Sequence, residues 1–260
     1  MIDQAAPGDT VKPDGAYQID SLSDPVRLKS NITLDLSGAA LSAIPNSGIY
    51  SIILKIDACE NVNVIGGLIR GERDTHLGPT NWEIGGGGAG ISIQGGSRNI
   101  KIQGVNVKEC FADGILILDG NQIEIDKVVC DHNRRQGMSV INCDGLSVIS
   151  SQFSKNGGTP PGCGIDLECD TDAERIANVT IEKNVFYGNA GSCISFGSPG
   201  KYINCRVTAD NSFDMVTQPI WAGGNASPLG TSWWAFSLNR ACSWLPGYRW
   251  WGYRTEWYKA

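Results

Sequence analysis

The sequence has little histidine, no basic cluster and no long apolar run. Only 2 of the 260 residues are histidine, the formal net charge is −6 at pH 7, and lysine and arginine do not form a block anywhere. Because nucleic acid is bound chiefly through clustered positive charge, this composition argues against a nucleic-acid partner. No segment approaches the roughly 20 apolar residues that span a bilayer, so no membrane partner is expected either.

The sequence also lacks a visible signal peptide and any closely spaced pair of cysteines. The opening Met-Ile-Asp-Gln-Ala-Ala has neither a basic nor an apolar region, and a phage virion protein or a fragment of a longer chain would look the same. Nine cysteines are present without a Cys-x-x-Cys pair, which argues against a zinc site of ordinary spacing. Since their number is odd and the chain is not small, we expect buried free thiols rather than a disulfide framework.

A short pattern recurs through the glycine-rich middle of the chain. The second positions of its copies are residues 90, 114, 137, 164 and 193, so the steps are 24, 23, 27 and 29 residues. The five copies are Ala89–Ile93, Asp113–Ile117, Gln136–Val140, Cys163–Leu167 and Ser192–Phe196. A period of about 20 to 50 residues is typical of solenoids and related repeat architectures.

Two further series of short apolar alternations follow within each repeat. The second series includes Asn99–Ile102, Gln122–Ile125, Gly145–Val148 and Asn178–Ile181. Period-two alternation inside a repeat of about 23 residues indicates three short strands per coil. The predicted fold class is therefore all-β, a single-stranded parallel β-solenoid. A β-sandwich is the alternative, and the fixed coil spacing argues against it.

The register of the repeat predicts which residues stack between coils. One inward position recurs as isoleucine, and one loop position ahead of the first strand recurs as asparagine, which tolerates turn conformations and can bond neighbouring backbone. The expected ladders contain Ile115, Ile165 and Ile194 in the core and Asn133, Asn156 and Asn189 at the turn.

The two ends of the chain differ from the repeat. Residues 1–45 contain short alternating segments that we interpret as the first coils, whereas seven of the eight tryptophans lie in the last 40 residues. We therefore divide the chain into a β-helix at residues 1–207 and a Trp-rich C-terminal cap or association segment at residues 208–260. Stacking of these aromatic rings on sugars is left open.

Several motifs in the chain resemble those of a known superfamily. They are Leu28–Leu34, Ile69–His76, Asp113–Ile115, Asn133–Gly137 and Gly158–Glu168. Over about residues 5–207 the sequence resembles bacterial and phage right-handed β-helix repeat proteins of the pectate-lyase-like superfamily. That superfamily includes tailspike depolymerases, polysaccharide lyases and alginate C5-epimerase modules. The resemblance implies a right-handed parallel β-helix that handles polysaccharides, although one such solenoid hosts many reactions.

The sequence departs from the epimerase pattern at the strand that carries the resemblance. Epimerase modules have Tyr-Gly-x-Asp-Pro-His on a coil strand. Here Asp166 occupies the aspartate position, Leu167 replaces the proline and Glu168 replaces the histidine. The Gly-His-Gly motif of polygalacturonase-like hydrolases is also missing. The reaction is therefore left open between a lyase, a hydrolase and an epimerase.

Asp166 and Glu168 are the leading catalytic candidates. With Ile165 and Leu167 turned inward, both carboxylates face outward from one strand, and their Cα atoms are roughly 6.5–7 Å apart. Such a pair can divide acid and base roles where the environment separates the two pKa values. The alternative is an ordinary solvated face. Asp113, on the equivalent strand two coils earlier, is a further catalytic candidate.

A long insertion between two coils contributes more candidates. It adds about 15 residues and ends in the glycines at 85–88, and long loops on rigid scaffolds often carry function. His76 is a candidate general base in this loop, with a merely solvated histidine as the alternative. Glu72, Arg73 and Trp82 are its candidate substrate-binding residues.

Two adjacent arginines lie just before a strand of the first series. The guanidinium groups of Arg134 and Arg135 could bind a sugar carboxylate in bidentate fashion, or they could pair structurally with Asp113 or Glu168. Gln136 follows them as another substrate-binding candidate. These residues supply local positive charge that an acidic substrate would need.

No cofactor and no metal-ligand set is expected from the sequence. The acidic run leaves a Ca²⁺ ion open, because Ca²⁺ prefers several oxygen ligands, although EF-hand spacing is missing. The run consists of Asp166, Glu168, Asp170 and Asp172. A solvated acidic loop is the alternative.

The sequence therefore predicts a polysaccharide-active β-helix protein that cleaves or modifies a glycan, expected to contain uronate, with outward carboxylates on one sheet face. Two alternatives stay open: a non-catalytic glycan-binding or structural tailspike-type module, and a fragment of a larger tailspike. The expected partner is polysaccharide, and the expected location is extracellular or on a phage virion. A homotrimer is left open as the assembly.

Overall fold

The computed structural model describes residues 1–80, 87–197, 201–208, 210–214, 219–222 and 235–236. Apart from two short 3-10 helices at Ile2–Gln4 and Arg73–Thr75, the regular structure of these residues is all strand. In chain order the strands are β1 (Thr10–Val11), β2 (Gly15–Ile19), β3 (Val26–Arg27), β4 (Thr33–Asp35), β5 (Ala39–Ala43), β6 (Ile52–Asp57), β7 (Glu60–Ile65), β8 (Leu68–Arg70), β9 (Ala89–Gln94), β10 (Ser97–Gln103), β11 (Asn106–Lys108), β12 (Asp113–Ile117), β13 (Gly120–Asp126), β14 (Val129–Asp131), β15 (Met138–Val140), β16 (Cys143–Ile149), β17 (Gln152–Ser154), β18 (Ile165–Leu167), β19 (Arg175–Glu182), β20 (Val185–Tyr187), β21 (Ile194–Phe196), β22 (Lys201–Val207), β23 (Ser212–Phe213), β24 (Ile220–Ala222) and β25 (Ala235–Phe236).

Three parallel sheets stack these strands into a solenoid. Every third strand belongs to the same sheet: sheet A runs from β1 to β25, sheet B from β2 to β23 and sheet C from β3 to β24. Each coil thus contributes one strand to each sheet, and neighbouring coils pair in parallel. The predicted all-β solenoid with three short strands per coil is confirmed. Among the described residues no helix is long and apolar enough to cross a membrane.

The predicted isoleucine ladder lies in the centre of the solenoid. Ile115 pairs with Met138, Met138 with Ile165, and Ile165 with Ile194 on successive strands of sheet C. All four side chains are fully buried, and each such burial contributes roughly 1.5–3 kcal/mol relative to exposure. The inward register predicted for this sheet is confirmed, and the register also fixes which residues of the same strands face outward.

The predicted asparagine ladder fills the corner between sheets B and C. Nδ2 of Asn133 donates to Oδ1 of Asn156 at 3.0 Å, and Nδ2 of Asn156 donates to Oδ1 of Asn189 at 2.9 Å. The backbone N–H groups of Asn133 and Asn156 donate to the same oxygens, each at 3.1 Å. Because all three side chains are buried, each rung satisfies polar groups that would otherwise lack a partner.

Glycine at the start of the sheet C strands is required by close packing against this ladder. A Cβ atom on Gly114 would lie 2.5 Å from the carbonyl oxygen of Gly137 and 2.8 Å from Nδ2 of Asn133. Both distances are too short for any side chain to fit. Several positions with left-handed backbone conformation are occupied by asparagine rather than glycine, as at Asn61 and Asn99. Asparagine tolerates this conformation better than most residues do.

All eight cysteines within the described residues are buried and free, as expected from the sequence. Burial raises the pKa of Cys143 to about 12 and that of Cys110 well above its ordinary value. The thiols of Cys143 and Cys110 are therefore protonated at neutral pH, and all eight side chains pack as small apolar groups. The ninth, Cys242, lies outside the described residues.

The described parts of the C-terminal segment continue the solenoid. Phe213 of β23 pairs with Phe186 of β20, and their rings stack with centroids 5.3 Å apart. Strand β24 pairs with β21 and places Trp221 beside Ser195. The remaining C-terminal tryptophans lie outside the described residues, so the division at residue 207 and the capping or association role of residues 208–260 stay predictions.

Candidate active site

The outward face of sheet C carries one row of five aligned side chains, four of them polar, across five coils. The row consists of Ser92, Leu116, Ser139, Asp166 and Ser195, which are aligned by the strand register. Each of them is at most 3% exposed. These residues therefore face away from the core and are nevertheless shielded from bulk water.

A cleft of about 230 Å³ lies along this face of sheet C. Its walls combine an aromatic ring, aliphatic side chains, one guanidinium and three carboxylates. The lining residues are Tyr50, Gly87, Leu116, Leu118, Arg135, Ser139, Ile141, Asp166, Glu168 and Asp170. A concave site with an apolar wall and a few convergent polar groups is the usual form of a small-ligand site.

Asp166 is buried on this face and accepts a hydrogen bond from Gln136. Its neighbours Ile165 and Leu167 point into the core, so alternation turns Asp166 outward, yet it is only 2% exposed. Nε2 of Gln136 donates to Oδ2 of Asp166 at 2.8 Å, while the N–H of Cys163 donates to Oε1 of Gln136 at 2.7 Å. The Gln136 amide is thereby fixed in one orientation, and the solvated-face alternative does not hold for Asp166.

The environment of Asp166 brings its pKa close to neutral. Burial, followed by the negative charge of Glu168, raises the pKa of Asp166 to about 7. A hydrogen bond with Ser195 and the positive charge of Arg135 oppose this rise. A carboxyl group with a pKa near the working pH can give and take a proton with comparable ease, which suits acid–base chemistry.

Arg135 lines the cleft but is occupied by Asp113. Its Nε and Nη2 donate to the two carboxylate oxygens of Asp113 at 2.8 and 2.5 Å, and Asp113 is fully buried. Burial alone would lower the pKa of Arg135, but the ion pair raises it above the ordinary value, so the guanidinium stays charged. The structural alternative considered for this arginine, pairing with Asp113, is the arrangement observed.

Arg134 turns away from this cleft and packs on Phe111. Its guanidinium carbon lies 4.3 Å from the Phe111 ring centroid, and Nη1 donates to the Phe111 carbonyl oxygen at 3.3 Å. The two adjacent arginines thus have separate surroundings and do not form one clamp. Sequence adjacency could not distinguish these outcomes, because successive residues before a strand point in different directions.

The candidates from the long insertion form a second, enclosed cluster. The ring of His76 stacks on Phe111 with centroids 3.4 Å apart, and its Nδ1 lies 3.6 Å from Oε1 of Glu72. The Ser51 hydroxyl donates to the same Glu72 oxygen at 3.0 Å. Burial lowers the pKa of His76 despite the opposing charge of Glu72, so the imidazole is neutral at pH 7.

Arg73 also lies in this second cluster, where its side chain is bonded to the turn that carries the asparagine ladder. Its Nη1 donates to the carbonyl oxygens of His132 and Asn133, both at 3.0 Å. Of the ten candidates from the sequence, Arg135, Asp166 and Glu168 line the sheet C cleft. Asp113 and Gln136 are buried behind them and are bonded to Arg135 and Asp166. Glu72, Arg73 and Arg134 belong to the second cluster, with His76. Trp82 lies outside the described residues.

Sequence reasoning missed Tyr50 at the rim of the cleft. Its side chain is 68% exposed, and its ring lies so close to Gly87 that a Cβ there would be 2.9 Å from a ring carbon. Such an exposed ring beside a polar cleft is a suitable surface for a sugar. The signal available in the sequence was a tyrosine two residues before strand β6.

The acidic run does not gather into a metal site. Among the described residues, no group of three or more histidine, cysteine or acidic side chains is placed to hold a metal ion. In the loop after Glu168, the N–H groups of Asp170 and Thr171 both donate to Oε2 of Glu174, at 2.6 and 2.8 Å. The Glu174 carboxylate therefore accepts hydrogen bonds from the backbone of its own loop.

Comparison with known proteins identifies the family. The sequence matches the family model described as right handed beta helix region over residues 54–227. The chain therefore belongs to the right-handed β-helix family. Among solved structures, the Dettilon tailspike protein has a TM-score of 0.53 and 13% sequence identity, covering 84% of this chain and 56% of that chain. At this identity the likeness shows the fold alone.

Two proteins of Bacillus subtilis strain 168 are related in sequence. YclG is 31% identical over 180 residues, and the SPbeta prophage-derived YorA is 28% identical over 163 residues; both are described as uncharacterized. The alignments cover 60% and 55% of this chain. They cover only 30% and 28% of the relatives, so the chain spans less than a third of their length.

Proposed function

We propose that this protein is a polysaccharide-active enzyme that works at the sheet C cleft, with Asp166 as the proton-transferring residue. The observation that carries the proposal is the buried Asp166 carboxyl, whose pKa is about 7 and which lines a cleft with Glu168. Strongly shifted pKa values concentrate at functional sites. Burial of this carboxyl group does not stabilise the folded protein, so stability does not explain its position.

Glycoside hydrolysis is the reaction that this pair of carboxyl groups supports best. Protonated Asp166 would donate its proton to the glycosidic oxygen as the bond to the anomeric carbon breaks. Glu168 would then act from the same outward side as the base that activates water, or as the carboxylate that stabilises the cationic sugar. Glycosidases use two carboxyl groups in these roles, with roles separated by environment.

The charge of the cleft favours a neutral sugar at the reacting position over a uronate. Arg135 is the cation among the described lining residues, and its Nε and Nη2 already donate to Asp113, while three lining residues are acids. A lyase or epimerase acting on uronate has to neutralise a sugar carboxylate, and this arrangement offers little positive charge for that purpose. The uronate preference predicted from the sequence therefore has less support here than hydrolysis of a neutral unit.

Tyr50 and Gln136 take distinct supporting roles in this proposal. Tyr50 provides an exposed ring against which the apolar face of a sugar can pack. Gln136 is a positioning residue, because its Nε2 holds Oδ2 of Asp166. An open site of this kind suits a polymer outside the cell, so we keep an extracellular or virion location and polysaccharide partner as part of the proposal. The homotrimer also stays a proposal, to be checked by light scattering.

The test is a screen of neutral and uronate-containing polysaccharides with wild-type protein and Asp166→Asn. Reducing ends report hydrolysis, and ultraviolet absorbance of unsaturated products reports a lyase. We expect reducing ends from a neutral polymer, and a loss of about 10²–10⁴-fold in rate for Asp166→Asn. Asp126→Asn on sheet A is the matched control and should keep wild-type activity.

A non-catalytic glycan-binding module is the second candidate, favoured by the exposed Tyr50 ring, which would hold a sugar with or without chemistry. In that case the protein should bind polysaccharide and release no product from any polymer, and Tyr50→Ala should weaken the binding. Unchanged turnover in Asp166→Asn would remove this carboxyl from the mechanism.

A further inference from the structure

A second groove, of about 360 Å³, lies on the outward face of sheet B. It is lined by two columns of side chains that run across the strands, together with Lys155 at the end of one strand. The first column is Leu68, Asn106, Val129 and Gln152, and the second includes Lys108, Asp131 and Tyr187. These residues lie on five successive strands, and since parallel strands are spaced about 4.8 Å apart, the groove is about 19 Å long.

The electrostatics of this groove are opposite to those of the sheet C cleft. Lys108 shares its acidic partner, because Glu109 lies 3.6 Å from Nζ of Lys108 and also forms a 2.5 Å ion pair with Arg70. One carboxylate thus serves two cations. Among the lining residues Lys155 adds a second positive charge to that of Lys108, and Asp131 is the single acid. The groove therefore carries net positive charge on a protein whose formal net charge is −6.

The polar groups around Tyr187 are arranged in a fixed network. Nε2 of Gln152 donates to the Tyr187 hydroxyl at 3.2 Å and to the Ser154 hydroxyl at 3.1 Å. The Ser154 hydroxyl in turn donates to Oδ1 of Asp131 at 2.7 Å. Nζ of Lys155 lies 5.9 Å from the centroid of the Tyr187 ring. The ring is thereby held beside the Lys155 ammonium group, with the Gln152 amide bonded to its hydroxyl.

We propose that this sheet B groove binds an acidic polysaccharide, a chain whose sugars carry carboxylate or sulfate groups. Lys108 and Lys155 bind the anionic groups, Asn106 and Gln152 bond sugar hydroxyls, and Tyr187 packs against the apolar face of a ring. The groove runs along the solenoid axis, so it accommodates successive sugars of one chain. It belongs to a different sheet from Asp166 and does not depend on catalysis there.

Binding of three polymers to the full chain tests this assignment. Polygalacturonate supplies carboxylates, dextran sulfate supplies sulfates, and dextran is neutral. We expect wild-type protein to bind at least one polyanion, with affinity that falls as salt rises. The double variant Lys108→Gln/Lys155→Gln should weaken that binding about fivefold to thirtyfold, as expected for loss of two exposed ion pairs.

Matched variants separate this site from general charge and from the sheet C cleft. Lys101→Gln/Lys201→Gln removes the same charge from sheet A and should leave affinity within about twofold. Asp166→Asn should bind the polyanion like wild type, whatever its effect on hydrolysis. Tyr187→Ala should weaken binding of the polymer, whereas binding of inorganic sulfate should stay unchanged. Absence of polyanion binding by wild type, or equal losses in the two lysine double variants, would overturn the proposal.

Discussion

Arg135 donates two hydrogen bonds to the carboxylate of Asp113, which lies one coil earlier in the solenoid and is fully buried. A third donor, the N–H of Gln136, reaches Oδ1 of the same carboxylate at 3.2 Å. The pair therefore links two successive coils directly beneath the cleft. It also fixes the backbone from which Gln136 reaches Asp166.

Arg135→Ala should destabilise the protein strongly, because it leaves the Asp113 charge buried without its partner. Loss of one member of a buried ion pair typically costs about 3–5 kcal/mol. The double variant Asp113→Asn/Arg135→Gln removes both charges and should cost clearly less. Urea unfolding of the three proteins measures the difference. If Arg135→Ala is no less stable than the double variant, the ion pair has no role in holding the coils.

Asp166→Asn should change how stability depends on pH. The pKa of Asp166 is about 7 in the folded protein, against an ordinary value of 3.8. The folded state therefore keeps a proton that the unfolded chain releases, and stability falls as pH rises from about 4 to about 7. Over the whole interval the loss amounts to about 4 kcal/mol at most. The neutral asparagine avoids this loss.

Urea unfolding at pH 4 and pH 8 checks this expectation. The wild type should lose stability between the two pH values relative to Asp166→Asn, whereas Asp126→Asn should follow the wild type. Parallel pH dependence in wild type and Asp166→Asn would mean that Asp166 ionises without difficulty in the folded protein. The acid–base role proposed for it would then lose its physical basis.

Ser195→Ala should raise the pKa of Asp166 further. Ser195 forms a hydrogen bond that favours the charged carboxylate, in opposition to burial and to Glu168. If Asp166 acts as the general acid, the alkaline limb of the pH–rate profile should move to higher pH in this variant. Glu168→Gln removes a negative charge and should move the Asp166 titration to lower pH, as followed by carbon-13 NMR of the carboxyl group. Identical titrations in both variants would contradict the electrostatic account.

The sequence predicted those features that the repeat itself determines. Ile165 had to point inward because alternation and the coil period agree, and Asn156 had to stack on its neighbours because it recurs at one turn. The burial of Asp166 could not be predicted in this way. Alternation shows only that a side chain leaves the core, and shielding depends on the surrounding coils and loops.

The separate surroundings of Arg134 and Arg135 were unpredictable for a related reason. Arg135 finds Asp113 and Arg134 finds Phe111, and each partner is supplied by the preceding coil rather than by local sequence. His76 likewise lies in a loop whose path determines that its ring stacks on Phe111. Long-range packing decided these contacts, so the sequence alone could not show which of these residues lie together.

Asn156→Ala should be among the most damaging single substitutions in the solenoid. Oδ1 of Asn156 accepts both the N–H and the Nδ2 of Asn133, and its Nδ2 donates to Asn189 and to the carbonyl oxygen of Cys130. Alanine removes all four bonds in a corner without access to water. Each buried polar group left without a partner costs about 1–3 kcal/mol, so we expect a loss above about 3 kcal/mol.

The exposed asparagine Asn63 provides the matched control for this ladder. Its Nδ2 donates to the Thr33 hydroxyl at 3.4 Å on the outer surface of sheet A, where water can replace the lost bond. Asn63→Ala should therefore change the free energy of unfolding by less than about 0.5 kcal/mol. Chemical unfolding followed by circular dichroism compares the two variants. Equal, small effects would show that the corner admits water and that the coils are held together by the apolar ladders alone.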